Sequence, residues 1–488
     1  MGSHTEDLEN LFLATFKQEI RNMVALEASG SNRKYYRIKS DDFSAIGAYN
    51  EDEEENKAFL ALSRRFLNKR ICVPTVYNED LSKKIYLISD LGNRTLYQFL
   101  CEIRKDDKDF SKQRHMYEWA LKELIKIQFA MHQEPARDEE TKAFSSMFQQ
   151  FNSSATYPRT AFDKQAMLWD MNYFKYYFLK LAHIPFDEQL LEKDFHALAD
   201  FLTEADASFF LYRDFQSRNI MIHRNTLFFI DYQGGKKGAL QYDVASLLYD
   251  SKADIPQEIR QQLVDYYVDH LLRRHPKAVI CFRKYYDAFV FIRIMQTMGA
   301  YGYRGFYEGK KHFLQSIPYV LKNLKWLLEN VRLPVEIPTL WRVYHQLIES
   351  VSLQQYELSP LKISVNSFSY KKTIPTDKSE HGGGFVFDCR CLPNPGRYDE
   401  YKILTGKDKE VVDFLDNTPE INKFFEHVTS IIDMAVQNYN KRQFQHLMIS
   451  FGCTGGRHRS VYFAERLQKY LNKRYSVDTE INHYNLDK

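Results

Sequence analysis

Residues 212–221 read YRDFQSRNIM, and IDYQGG follows at 230–235. The first stretch sets Asp214 five positions before Asn219 between apolar flanks, and the second sets Asp231 at the end of the apolar run FFI. An Asp-x-x-x-x-Asn loop followed by an acid at a strand end has the residue types that phosphoryl transfer from ATP requires. An acceptor hydroxyl must be oriented and relieved of its proton, and the triphosphate charge must be neutralised. Asp214 is placed to accept that proton. Asn219 can reach a metal whose other protein ligand is Asp231, and hard oxygen donors completed by phosphates and waters suit magnesium.

These residues need a scaffold. Residues 1–95 read as a β-rich lobe, with short β-like runs at 25–28, 35–39 and 43–49 and further strands in VPTVY (73–77) and KIYLISDLG (84–92). The acidic run NEDEEENKAF (50–59) starts a helix, its acids suiting the positive end of the helix dipole. Residues 96–332 are mostly helical in period and end in LPVEIP (333–338); a helical connector then fills 333–357. From about 358 to 488 the pattern changes to an α/β domain, opening on the alternating LKISVNSFSY. A chain of 488 residues with 44% hydrophobic and 27% charged residues affords several cores. Its formal net charge of +3 forces no nucleic-acid partner. The apolar stretch around 286–295 is interrupted by Arg293, which argues against a membrane span. Six cysteines without a CxxC pair, and no secretory pattern at the start, predict a reducing, cytoplasmic setting.

LYRDFQSRNIMI together with FFIDYQGGKKGALQYDVASLLYD (228–250) resembles the aminoglycoside phosphotransferase/choline kinase superfamily, most nearly its bacterial anomeric kinases of N-acetylmuramate and N-acetylglucosamine. The resemblance implies a bilobal α+β, protein-kinase-like fold that uses ATP and Mg. It makes Asp214 the catalytic base and Asn219 and Asp231 the metal ligands. It sets Gly30, Ser31, Asn32 and Arg33 over the ATP phosphates, Ser89 and Leu91 in the hinge that meets adenine, and Asp243 as a brace for the catalytic loop. One departure stands out: the strand that should carry a phosphate-holding lysine reads SAIGAY, with Gly47 in the slot. Arg33, Lys34 and Arg37 are the cations available instead. The acceptor, a small-molecule sugar, should face FIRIMQTMGAYGYRGF (291–306), where Arg293, Gln296, Tyr301 and Arg304 can meet hydroxyl, acetamido or lactyl groups.

In the last quarter of the chain, MISFGCTGGRHRSVYFAERL (448–467) reads as strand, glycine-rich turn and amphipathic helix. Such a turn aims backbone N–H groups at an anion, and Thr454, Gly455, Gly456, Arg457, His458, Arg459 and Ser460 would line it. The same residues satisfy C-x-x-x-x-x-R-S, the phosphate loop of cysteine-dependent phosphatases, with Cys453 as nucleophile. With DCRCLPNP (388–395) and LTGKD (404–408), the loop resembles the C-terminal domain of the RapZ family of RNase adapters. That resemblance implies a site for a phosphorylated amino sugar and adds Asp388, Arg390 and Asn394 to it. RNA, which some members bind, is the less favoured partner, because residues 361–488 hold 19 Lys/Arg against 16 Asp/Glu. The expected protein is a sugar kinase fused to a domain that senses an amino-sugar phosphate or a nucleotide sugar. The competing expectations are a non-catalytic or RNA-binding adaptor on a degenerate kinase scaffold, and phosphatase activity in the last domain.

Overall fold

The β-rich lobe forms because short β-branched and aromatic runs alternate between two apolar layers. In the computed structural model, which describes residues 3–26, 33–104, 110–131, 159–354, 356, 361–377, 384–442, 444–475 and 477–486, the chain divides into two units, Met1–Tyr356 and Glu357–Lys488. Gly30, Ser31 and Asn32 lie outside the described residues.

The first unit opens with a helix the sequence did not lead us to expect, α1 (Ser3–Phe16), whose Leu8 and Phe12 are fully buried. Strands β1 (Asn22–Ala25), β2 (Lys34–Lys39), β3 (Ser44–Tyr49), β4 (Val76–Asp80) and β5 (Ile85–Ser89) form an antiparallel sheet in the order β1-β2-β3-β5-β4. Its two faces separate cleanly. Ile38, Ala45, Ile85 and Leu87 join Leu8 and Phe12 under α1, while Ile46, Ala48, Tyr86 and Ile88 join the main core. Helix α2 (Glu53–Asn68) starts where Asp52 accepts the N–H of Glu55, with Glu53, Glu54 and Glu55 in its first turn.

The second lobe is helical around a floor of two short antiparallel pairs, β6 (Phe209–Leu211) with β9 (Lys236–Gly238) and β7 (Ile220–His223) with β8 (Thr226–Phe229). The loop that carries Asp214 leaves β6 and enters β7. The segment expected to be a connector is part of this core: the helix Pro338–Glu349 buries Leu340, Val343, Tyr344 and Leu347, and Asp194 accepts the N–H of Leu340 at 2.8 Å. Its hydrophobic stripe leaves it no stable life in water on its own.

In the second unit β10 (Lys362–Ser369), β11 (Gly384–Asp388), β12 (His446–Cys453) and β13 (Asp478–His483) build an all-parallel sheet in the order β11-β12-β10-β13. The loops following β10, β11 and β12 meet at the carboxyl edge, the place where open α/β sheets bind ligands.

Candidate functional site

Asp214, Asn219 and Asp231 come together. The Asn219 amide donates to the Asp214 carbonyl at 2.9 Å and to Asp231 Oδ2 at 3.3 Å, which leaves its own oxygen free to face a cation. Gln233 donates to Asp231 Oδ1 at 2.9 Å. Asp231 is exposed at the open cleft, yet desolvation by the protein crowded around it, and then the charge of Asp214, push its carboxyl above its ordinary range, with Gln233 and Arg33 pulling the other way. The Asn219 amide oxygen and the Asp231 carboxylate are hard oxygen donors held side by side, so these residues fit magnesium.

The loop that carries Asp214 is held in an uncommon shape. Arg213 sits at φ +82° and Asp231 at φ +69°, left-handed values that cost a non-glycine residue free energy. The fully buried Asp243 accepts the N–H of Tyr212 at 2.8 Å and of Arg213 at 3.0 Å. Burial pushes its carboxyl up to about 7 while those two donors favour the anion. The Arg213 guanidinium meets Asp170 at 2.6 Å and lies over Phe162 and Tyr242.

Beside these residues a cleft of about 270 Å³ is lined by Arg33, Tyr35, Arg37, Ile46, Phe59, Ser89, Leu91, Asn219 and Asp231, among others. Ser89 and Leu91 therefore border it together with the metal-site candidates. The intervening Asp90 binds Arg37 Nε at 2.8 Å and takes the hydroxyl of Ser44 at 2.6 Å, which pins the hinge to β2 and β3. Of the three cations considered for phosphate, Arg37 is thus committed to Asp90. Lys34 belongs to the other face, near the ring of Tyr49. Arg33, 2% exposed, borders the cleft and pairs with Glu55 at 3.1 Å. The pleat also corrects the place of the missing lysine. A Cβ on Gly47 would meet Leu8 and Ile38, on the α1 side. The position that shares the cleft face with Ile46 is Ala48.

On the side where the acceptor was expected, Arg293, 4% exposed, puts Nη2 3.7 Å from Asp214 Oδ1. Its Nε donates to Ser246 at 3.0 Å and its Nη1 to Gln296. Tyr301 and Arg304, expected alongside them, are used elsewhere: the Tyr301 hydroxyl is buried against Ser251, and Arg304 pairs with Glu308 on the next turn at 3.0 Å. Sequence reasoning missed Asp170, Glu55 and Lys236. The Lys236 amine is pushed down to about 8 by burial and then by Arg213, against the pull of Asp170 and Asp214. The only hint of it in sequence was the lysine pair after Gly234-Gly235.

In the second unit the glycine-rich turn leads from β12 into the helix Arg459–Arg474. Thr454 and Gly455 are exposed, and a Cβ on Gly455 would meet nothing within 4 Å. Gly456 has φ +69° and packs on Ser369 and Asn485, so no side chain fits there. The three basic side chains bind main-chain carbonyls: Arg457 Nε that of Leu404 at 3.0 Å, His458 Nε2 that of Tyr401 at 2.8 Å, and Arg459 Nη1 those of Arg390 and Leu392 at 3.1 and 2.6 Å. Arg459 is buried and braces the 389–392 turn. Asp388 and Arg390 pair with each other at 2.6 Å, with the guanidinium over Tyr370, and Asn394 is half-buried beside Gly396. Ser460 Oγ and the N–H of Gly456 both lie against the buried Cys453 sulfur, at 3.1 and 3.2 Å. Among the described residues no three His, Cys, Asp or Glu side chains cluster as metal ligands, and no helix is long and apolar enough to cross a membrane.

A family model described as the phosphotransferase enzyme family matches residues 23–278, and one described as the RapZ C-terminal domain matches residues 361–487. A nucleotide-binding protein of Actinobacillus pleuropneumoniae serotype 5b (strain L20) is 38% identical over 128 residues, 26% of this chain and 43% of that protein. The chain thus spans less than half the length of the curated relatives it matches. An ethanolamine kinase structure from Plasmodium vivax is similar at TM-score 0.43 and 12% identity, covering 62% of this chain and 81% of its own. For a choline kinase from Cryptosporidium parvum the values are 0.41, 11%, 63% and 90%.

Proposed function

The chain belongs to the phosphotransferase enzyme family and ends in a RapZ C-terminal domain, and on that premise we propose that its first unit phosphorylates the anomeric hydroxyl of N-acetylmuramate or N-acetylglucosamine with ATP, in cell-wall sugar salvage. The observation that carries this reading is Asp214, its side chain 48% exposed, standing between the cleft-side pair Asn219 and Asp231 and the guanidinium of Arg293. Asp214 takes the proton of the acceptor hydroxyl as that oxygen bonds to the γ-phosphorus and the bond to the β,γ-bridging oxygen breaks, releasing ADP. Arg293 and Gln296 orient the acceptor, and Arg293 is suited to the lactyl carboxylate of N-acetylmuramate. Magnesium, when bound, neutralises triphosphate charge, and Asn219 and Asp231 would hold it. Such chemistry belongs in the cytoplasm, where ATP is.

The second unit we read as a sensor of a phosphorylated amino sugar. The exposed residues Thr454 and Gly455 in a glycine-rich turn at a sheet's carboxyl edge support an anion there, while Arg457, His458 and Arg459 shape the loop more than they offer free charge. RNA is the less favoured partner.

The test is ATP-dependent transfer to a panel of N-acetylmuramate, N-acetylglucosamine, glucosamine, choline and an aminoglycoside. Phosphorus NMR identifies the modified oxygen, and Asp214→Ala is the control. A C1-phosphate that disappears in the variant is the expected result. Transfer to none of them moves the weight to a non-catalytic adaptor.

A further inference from the structure

A hydroxyl that reaches Asp214 must approach from outside the nucleotide cleft, and the charge it meets there decides which acceptors can come. Asn219 and Asp231 line that cleft, whereas Arg218, the residue before Asn219, lies outside it. We infer that Arg218 receives an anionic substituent of the acceptor, a carboxylate or a phosphate, and so makes the site select an acidic sugar over its neutral counterpart. The inference rests on the reading that the first unit phosphorylates a sugar.

Four observations lead there. Arg218 is exposed, and among the described residues its guanidinium makes no hydrogen bond and no ion pair. The protein around it is nonetheless dense: desolvation works against its charge, yet Asp250, Tyr301, Asp214 and Tyr97 hold it above its ordinary value. An accessible cation crowded by protein, and close enough to feel the charge of the base, belongs to the wall of a cleft rather than to open surface. Next, its backbone is fixed. Arg218 sits in the single turn Ser217–Asn219, where the Ser217 hydroxyl lies 3.5 Å from Asp250 and the Asn219 amide donates to the Asp214 carbonyl at 2.9 Å. Third, the charge of Arg218 is not cancelled locally. The neighbouring Lys252 amine is pushed down to about 8 by burial and then by Arg218, against the pull of Asp250 and Cys101. Finally, Arg293, the guanidinium nearest Asp214, already has Nε on Ser246 and Nη1 on Gln296, while Arg218 keeps its whole fork of donors.

A planar fork of N–H groups matches both oxygens of a carboxylate or two oxygens of a phosphate. Lys236, another cation near Asp214, is the weaker choice. Burial, and then Arg213, push its amine down to about 8, so near neutral pH it holds less than a full charge, and an ammonium offers no paired donors.

The experiment compares kcat/KM of the full chain for three sugars: N-acetylglucosamine, N-acetylmuramate, which adds a carboxylate, and N-acetylglucosamine 6-phosphate, which adds a phosphate. Calorimetric titration with the same sugars, in the presence of MgADP, runs beside it. The variants are Arg218→Gln and Lys236→Gln, each checked by thermal melting. Because Arg218 is exposed and unpaired among the described residues, its replacement leaves no buried partner behind, and Arg218→Gln should melt with wild type. Wild type should prefer at least one acidic sugar. Arg218→Gln should cut that preference by about 10- to 100-fold, the range for losing hydrogen bonds between charged groups, through KM more than through kcat. The acidic sugar whose preference falls identifies the substituent as carboxylate or phosphate. Binding of a sugar phosphate to the second unit is separated by the same variant, which leaves that unit intact. A wild type without preference for either acidic sugar overturns the inference, and this needs no variant. A preference that survives Arg218→Gln, one lost only in Lys236→Gln, or an equal fall for N-acetylglucosamine also overturns it. The kinase reading fails separately: if an acidic sugar binds with this dependence on Arg218 but none is phosphorylated, the inference stands and the transfer does not.

Discussion

Replacing Asp243 with alanine tests how the catalytic loop is held. Arg213 occupies a left-handed conformation at φ +82° that costs about 1–3 kcal/mol. Asp243 opposes this cost with two buried hydrogen bonds, to the N–H groups of Tyr212 and Arg213 at 2.8 and 3.0 Å. Bonds of this kind to a charged acceptor contribute about 1.5–3 kcal/mol each, so the pair outweighs the strain. In Asp243→Ala two buried donors lose their partner, and the strain at Arg213 is no longer compensated. The loop relaxes, and Asp214, the next residue, moves with it. A displacement of about 1 Å at a reacting group costs on the order of 100-fold in rate. We expect kcat at pH 8 to fall by about that factor, with the KM for ATP nearly unchanged because Asp243 does not border the cleft. Asp243→Asn, which keeps one accepting oxygen, should fall in between. Transfer kinetics beside thermal melts separate the two roles Asp243 could have. Asp243→Ala with kcat within threefold of wild type, whatever its melting temperature, would refute the argument that this carboxylate positions the base.

Two further predictions come from burial. Because the folded unit holds the Asp243 carboxyl near 7, well above its ordinary value near 4, the unfolded chain releases that proton first as pH rises. Between about pH 4 and 7 this group lowers stability by about 1.4 kcal/mol per pH unit; stability from it is present below pH 4 and is lost as pH rises through 7. Asp243→Asn should therefore show a flatter or rising stability profile over that window in denaturant titrations, and identical slopes would contradict the burial effect. The helix Pro338–Glu349 offers the other test. Tyr344, fully buried, stacks on Phe291 with ring centroids 5.4 Å apart, and Phe291 lies on the helix that carries Arg293. Tyr344→Ala should cost about 3–5 kcal/mol of stability and raise the acceptor KM through Arg293, whereas a change below about 0.5 kcal/mol, the usual span for surface sites, would mean the segment is only a connector.

What was legible in the sequence was local. Asp214, Asn219 and Asp231 lie in one loop and the strand pair that follows it, so spacing along the chain already placed them together. The turn at 453–460 was legible for the same reason, because a strand, two glycines and an amphipathic helix are contiguous. Other features depend on which parts of the chain meet in space. A one-residue ambiguity in strand register turned Gly47 toward α1 and made Ala48 the cleft position, since alternate residues face opposite sides of a sheet. The pairing of Arg33 with Glu55, the use of Arg37 by Asp90, and the commitment of Tyr301 and Arg304 to Ser251 and Glu308 follow from burial and the competition for partners. The amphipathic period of 338–349 predicted a helix, but only the tertiary structure decided that its apolar stripe belongs to the first core. Sequence by itself determined which groups can do chemistry and their order along the chain. Packing decided which of them keep a free donor or acceptor facing the cleft, because a buried polar group bonds to the first suitable partner the fold brings within reach.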